Sequence, residues 1–180
     1  MAEFNAAVSR VCSIFNISSL FDEQKEALKV ALGGKSVYAS LPTGYGKSMI
    51  FYALPIAFDL VNKRQEGSST VLVISPLQSL MEDQVSYLKS LGLSAVALHE
   101  EQSDNILEKV ESGKFMYVFA SPEKMLSTTK WRRLFDNSSF KKSLIAVVVD
   151  EAHCISQWGL SSQGSKIPFR SWYVHIATSF

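Results

Sequence analysis

The stretch "LGGKSVYASLPTGYGKSMIFYALP", residues 32–55, contains the tripeptide GKS twice, and the copy that opens a helix decides the fold. The strict phosphate-loop pattern GxxxxGK[ST] wants a glycine five positions before its second glycine, where the first copy has Lys29 and the second Leu41. Context has to choose between them. A phosphate loop leaves a strand and opens a helix, because the free N–H groups of the loop and of the helix N-terminus point at the anion. The first copy runs into "VYAS", a short β-branched and aromatic run that reads as a strand over Val37–Ser40. The second follows that strand and leads into "SMIFYALPIAFDLVN", whose length and apolar content suit a buried helix over Lys47–Val61. Lys47 and Ser48 are therefore the candidate phosphate contacts, with Gly44 and Gly46 letting the backbone wrap close to the anion. Lys35, in the first copy, is the decoy.

Composition narrows the class. With 180 residues, 47% hydrophobic and 19% charged, the chain is long enough for one domain with a sizeable core. A net charge of +1 gives no global attraction to nucleic acid, so any such binding must rest on local patches. The N-terminus lacks an apolar signal region and no run of 18 apolar residues occurs, which predicts an intracellular chain without a membrane span. Cys12 and Cys154 stand far apart without zinc-site spacing, so free thiols and no zinc are expected.

Apolar, β-rich runs alternate with helical patterns along the chain. Strands are expected at Val37–Ser40, Val71–Ser75, Ala95–Leu98, Met116–Ala120 and Ile145–Val149. Helices are expected near Glu23–Leu32, Lys47–Val61, Leu77–Leu91, Asp104–Ser112 and Glu123–Phe135. The polar stretches "KRQEGSST" and "DNSSFKKS" read as loops. Near-continuous apolar strands such as "VLVIS" must be covered on both faces, which a parallel sheet flanked by helices provides. The predicted fold is a doubly wound α/β domain.

A second chemical signal is "VVVDEAHC", residues 147–154. An Asp directly after an apolar strand lies at the carboxyl end of a parallel sheet, the side on which such sheets bind ligands. If this strand neighbours the phosphate-loop strand, Asp150 can hold Mg²⁺ beside the Ser48 hydroxyl, since a hard cation takes oxygen ligands. Glu151 could then orient or deprotonate an attacking water, and His153 would sense hydrolysis near the γ-phosphate.

Together these blocks resemble superfamily 2 helicases, and within them the RecQ-like DNA helicases, whose phosphate loop has the form PTGxGKS without the leading glycine. "SPLQSLMEDQV", residues 75–85, is similar to the family's motif Ia, and "VFASPEKML", residues 118–126, to its SPERLL segment. "FDEQKEAL", residues 21–28, falls where the family places an adenine-reading glutamine, here Gln24. The family usually carries a basic residue three positions earlier; this chain has Phe21, which could stack on the base. The resemblance implies a RecA-like P-loop fold, ATP and Mg²⁺ as cofactors, DNA as partner, and nucleotide contacts at Gln24, Thr43, Gly44, Gly46, Lys47 and Ser48. It implies Lys47, Asp150 and Glu151 as the catalytic set, Ser48 and Asp150 on the metal, and His153 and Gln157 as coupling residues. Strand-to-helix turns at Ser75, Gln78 and Ser121 could meet DNA phosphates or be plain helix caps.

After "SQWG" the family's aromatic-rich loop is interrupted by "LSSQGSKIP" before Phe169, Arg170 and Tyr173 resume it. Trp158, Trp172 and Tyr173 supply the flat faces and Arg170 the cation that single-strand binding uses. The expected organisation is an ATP-binding domain over residues 1–159 and a lengthened loop and tail over 160–180. The resemblance further implies the first motor domain of a 3′ to 5′ DNA helicase of repair and recombination, nuclear in a eukaryote. A second RecA-like domain would act in cis or in trans, and the chain would be a fragment, a truncated gene model or a splice product. The alternative is a non-catalytic nucleic-acid- or partner-binding module; a small P-loop kinase or GTPase is disfavoured by the DEAH box and the lack of NKxD.

Overall fold

The computed structural model describes residues 2–98, 103–122 and 133–151. In chain order the elements are α1 (Ala2–Phe15), α2 (Asp22–Leu32), α3 (Lys47–Val61), β1 (Thr70–Ile74), α4 (Gln78–Ser90), β2 (Ala95–Ala97), α5 (Asp104–Glu111) and β3 (Tyr117–Ala120). A single 3₁₀ turn over Arg133–Asp136 then leads to α6 (Ser138–Ser143) and β4 (Leu144–Val149).

The four strands form one sheet in the order β2-β3-β1-β4, every neighbouring pair parallel. Side chains of β1 alternate between two cores, as a period of two requires. Val71 and Val73 pack with α1, α3 and α4 through Ala7, Val11, Ile56 and Leu88, while Leu72 and Ile74 pack with Val110, Leu134 and Phe140 on the opposite face. Both faces are covered by helices, so the doubly wound α/β expectation holds.

Two expectations are corrected. Val37–Ser40 joins no strand of the described sheet; residues 33–40 are exposed and carry no ladder bonds, and Tyr38 is 85% exposed. A β-branched run becomes a strand only where another strand takes up its N–H and C=O groups. "DNSSFKKS" holds α6, because the Asn137 side chain caps it by accepting from the N–H groups of Ser139 and Phe140 at 2.9 and 3.1 Å. Of the helix expected at Glu123–Phe135, residues 123–132 lie outside the described residues, and the rest is the 3₁₀ turn.

One buried carboxylate sets the direction of α3. Asp59 is fully buried and accepts from the N–H groups of Gly67, Ser68 and Ser69 and from the hydroxyls of Ser68 and Ser69. These donors precede β1, so the C-terminal turn of α3 is pinned to the amino end of the sheet. The N-terminus of α3 is thereby directed toward the carboxyl ends of the strands.

Candidate nucleotide-binding site

The two GKS copies have opposite surroundings. Lys35 follows the C-terminus of α2, where Gly33 and Gly34 close the last turn onto the Lys29, Val30 and Ala31 carbonyls. That end of a helix presents carbonyl oxygens and repels anions. Lys47 is the first residue of α3, and Gly46 ahead of it adopts φ 66°, with Gly44 at φ 83°. Both glycines occupy the left-handed region that side chains disfavour. A Cβ on Gly46 would also lie 2.8 Å from Gln24 Nε2.

Within this loop the Lys47 ammonium donates to the carbonyls of Leu41 and Pro42 at 3.1 and 3.3 Å. Those two bonds use two of the three ammonium donors and leave the third for a phosphate. Thr43 is exposed, and Lys47 and Ser48 are half-buried.

Gln24 sits against the loop. It is 4% exposed, its Oε1 accepts from the Phe21 N–H at 2.9 Å, and its Nε2 donates to the Tyr45 and Gly46 carbonyls at 3.0 Å each. The first bond is the back half of a capping box for α2; Phe21, lacking an acceptor, cannot supply the front half. The Phe21 and Tyr45 rings lie 5.0 Å apart, tilted by 32°, and both are partly exposed beside the loop. Gln24 thus ties α2 to the turn that precedes Lys47.

Asp150 emerges directly after β4 and its N–H donates to the Ile74 carbonyl at 2.9 Å, extending the parallel ladder by one residue. Its Oδ1 accepts from the Glu151 N–H at 3.0 Å and its Oδ2 from Gln84 Nε2 at 3.3 Å. Glu151 turns sharply at φ 54°. A residue on α3 feels this carboxylate: the Tyr52 phenol has its pKa raised first by burial, then by the Asp150 charge, then by Tyr87. Tyr52 is five residues past Lys47, and Met49 in the first turn of α3 packs against the same core as Val148 near the end of β4, so the start of α3 and the end of β4 share one region at the carboxyl side of the sheet.

The expected DNA contacts are placed unevenly. Gln78 opens α4 on the surface and reaches Glu82 at 3.2 Å. Ser121 is half-buried just after β3. Ser75 is fully buried, and its N–H donates to the Ala120 carbonyl at 3.0 Å. That bond ends the ladder at Ser75, the last residue of the strand expected over Val71–Ser75. His153, Gln157, Trp158, Phe169, Arg170, Trp172 and Tyr173 lie outside the described residues, as does the expected boundary at 159.

Two participants escaped the sequence reading. Tyr45 stood in the motif as an unspecified residue, and Gln84 lay in a helical pattern where Met81, Val85 and Leu88 marked the buried face. A glutamine in register with that apolar stripe was the available signal. Among the described residues no group of three or more His, Cys, Asp or Glu could hold a metal by itself, and no helix is long and apolar enough to cross a membrane.

The DEAD/DEAH box helicase family matches residues 21–169 of this chain. The ATP-dependent DNA helicase RecQ of Haemophilus influenzae is 35% identical over 157 residues, covering 85% of this chain and 23% of the relative. The ATP-dependent DNA helicase Q-like 5 of Arabidopsis thaliana is 38% identical over 169 residues, 92% of this chain and 16% of the relative. The ATP-dependent helicase SGS1 of Saccharomyces cerevisiae is 34% identical over 154 residues, 83% of this chain and 10% of the relative. The chain thus spans about a quarter or less of these relatives' length. Among solved structures, the helicase MrfA bound to DNA and AMPPNP superposes with a TM-score of 0.63 at 22% identity, over 84% of this chain and 21% of that one, a likeness of fold.

Proposed function

The chain belongs to the DEAD/DEAH box helicase family, and on that premise we propose that it is the ATP-binding motor lobe of a RecQ-like helicase that unwinds DNA 3′ to 5′. One observation carries the proposal: Lys47 opening α3 and Asp150 closing β4 share the carboxyl side of one parallel sheet. In this reading Thr43, Gly44, Gly46, Lys47 and Ser48 cradle the phosphates. Gln24 would read the base on releasing the Tyr45 and Gly46 carbonyls that now take its amide N–H groups, and Phe21 would offer the base a flat surface.

The donor set fits Mg²⁺. Both Asp150 oxygens are held by one protein donor each, which leaves lone pairs for a cation, and an ion of this type needs only one or two protein oxygens beside phosphate and water. Ser48 and Asp150 would hold it, and the bound ion would neutralise charge on the β- and γ-phosphates. Glu151, held by its turn next to Asp150, would orient the attacking water. Exposed Gln78 and half-buried Ser121, with Trp158 and Arg170 further along, would meet single-stranded DNA; His153 and Gln157 would couple that contact to the nucleotide. Residues 1–159 would form the lobe and 160–180 its loop and tail, in an intracellular and, in a eukaryote, nuclear protein.

Phosphoryl transfer depends on cations around the transferring oxygens, and an arginine finger alone is worth roughly 10³ to 10⁵ in rate. We assign that contribution to a second RecA-like domain, in cis or in trans. The purified chain should bind ATP weakly and hydrolyse it near background even with single-stranded DNA. Fusion to a second motor domain should restore DNA-stimulated hydrolysis, and Glu151→Gln in the fusion should abolish hydrolysis while sparing ATP binding. DNA-stimulated turnover by a verified monomer of this chain would overturn the one-lobe reading. A fusion that binds single strands but never hydrolyses ATP would support the non-catalytic module instead.

A further inference from the structure

Gln84 occupies a position where a hydrocarbon would serve the core. It is 7% exposed on the face of α4 that also carries Met81, Val85 and Leu88. Its Nε2 reaches across 66 residues of chain to Asp150 Oδ2, while its Oε1 has no hydrogen-bond partner among the described residues. The amide's orientation is dictated by charge, since the opposite flip would set its oxygen against a carboxylate. Asp150 is therefore gripped from two sides, by the N–H of its own turn and by a helix distant in sequence.

We propose that Gln84 is a positioning residue for Asp150, and that this hydrogen bond makes α4 the link between the nucleotide's metal and the DNA-facing turn at Gln78. Gln78 and Gln84 lie on one helix, about 9 Å apart along its axis at 1.5 Å per residue. A helix moves as a rod over that distance, so a shift of the carboxylate on metal binding is transmitted to its first turn. Groups that orient a metal ligand typically change metal affinity by roughly 10- to 100-fold when removed. The inference rests on the reading of Asp150 as a Mg²⁺ ligand.

The test compares the full chain with Gln84→Met, which keeps the volume and removes the amide. Calorimetric titration measures ATP affinity with and without Mg²⁺, and hydrogen exchange is followed in residues 47–61 and 78–90. In the unaltered chain Mg²⁺ should tighten ATP binding, and Mg²⁺·ATP should slow exchange in both helices. Gln84→Met should cut the Mg²⁺ enhancement by about tenfold or more, leave metal-free ATP affinity unchanged, and lose protection in 78–90 while keeping it in 47–61. An unchanged enhancement with unchanged protection of 78–90 would overturn the proposal. So would a parallel fall with and without Mg²⁺ accompanied by a lower melting temperature, the mark of a merely structural residue. Absence of ATP binding in the unaltered chain would be a different result, refuting the nucleotide reading itself.

Discussion

Replacing Asp59 with alanine should destabilise the fold by about 3 kcal/mol, because it strands donors that water cannot reach. The carboxylate accepts five hydrogen bonds at 2.9, 3.1, 3.1, 3.4 and 2.5 Å. Gly67 and Ser68 are partly exposed, so solvent can take over their share. Ser69 is fully buried, and its N–H and hydroxyl would lose their acceptor. Orphaned buried donors cost about 1–3 kcal/mol each, giving about 2–6 for the pair. Relief from keeping a carboxylate dry offsets part of that, which brings the expectation to the lower half of the range. Urea unfolding monitored by circular dichroism should show a lower midpoint with an unchanged slope. A cycle with Ser69→Ala should show a coupling energy of about 1 kcal/mol or more, since the two residues share one bond network. A loss below about 0.5 kcal/mol at constant slope would refute the view that this clasp fixes α3 on the sheet.

Lys47→Ala should weaken Mg²⁺·ATP binding tenfold or more, about 1.5–3 kcal/mol for a charge-assisted contact, whereas Lys35→Ala should leave calorimetric affinity unchanged. A comparable loss at Lys35 would mean the wrong GKS had been chosen. Gly46→Ala should impair nucleotide binding more than Gly92→Ala, because its Cβ would strike Gln24 as well as strain a positive φ, while Gly92 has open space; equal affinities would count against the Gln24 contact. The Tyr52 and Tyr117 phenols are raised above 10.0 chiefly by burial. The unfolded chain releases those protons first, so stability fully present below pH ~10 should decline as pH rises toward the folded values. Ultraviolet titration should find Tyr52 and Tyr117 silent until the chain unfolds, and ionisation of both in a folded chain would contradict their burial.

Much of the fold was legible because its strands are self-declaring. Runs such as "VLVI" and "LIAVVV" have no polar face, which points to a parallel sheet between layers; β1 is buried throughout, while β4 is half-buried among the described residues. The helix over Lys47–Val61 was read at its observed bounds despite Pro55, since its apolar length outweighed one missing N–H. Helix α1 was passed over although Ala7, Val11 and Phe15 recur every four residues and are buried; that pattern lay in a stretch read only for targeting signals. Helix α6 was hidden because its cap residue, Asn137, and its serines are also loop formers.

By itself, the sequence determined which chemistry the chain could carry. Only one GKS precedes a helix-forming run, and an Asp–Glu pair directly follows an apolar strand, so Lys47, Ser48, Asp150 and Glu151 could be named from local pattern. Tertiary structure alone decided what those residues touch. Whether Val37–Ser40 is a strand depends on a partner ladder that no local propensity can supply. Whether Ser75 is buried depends on what packs over the end of β1. That Gln24 grips the loop before α3 and Gln84 grips Asp150 follows from contacts 21 and 66 residues apart. Side-chain hydrogen bonds at that separation leave no periodic trace in a sequence; they exist only once α2 and α4 are packed against the sheet and the loop.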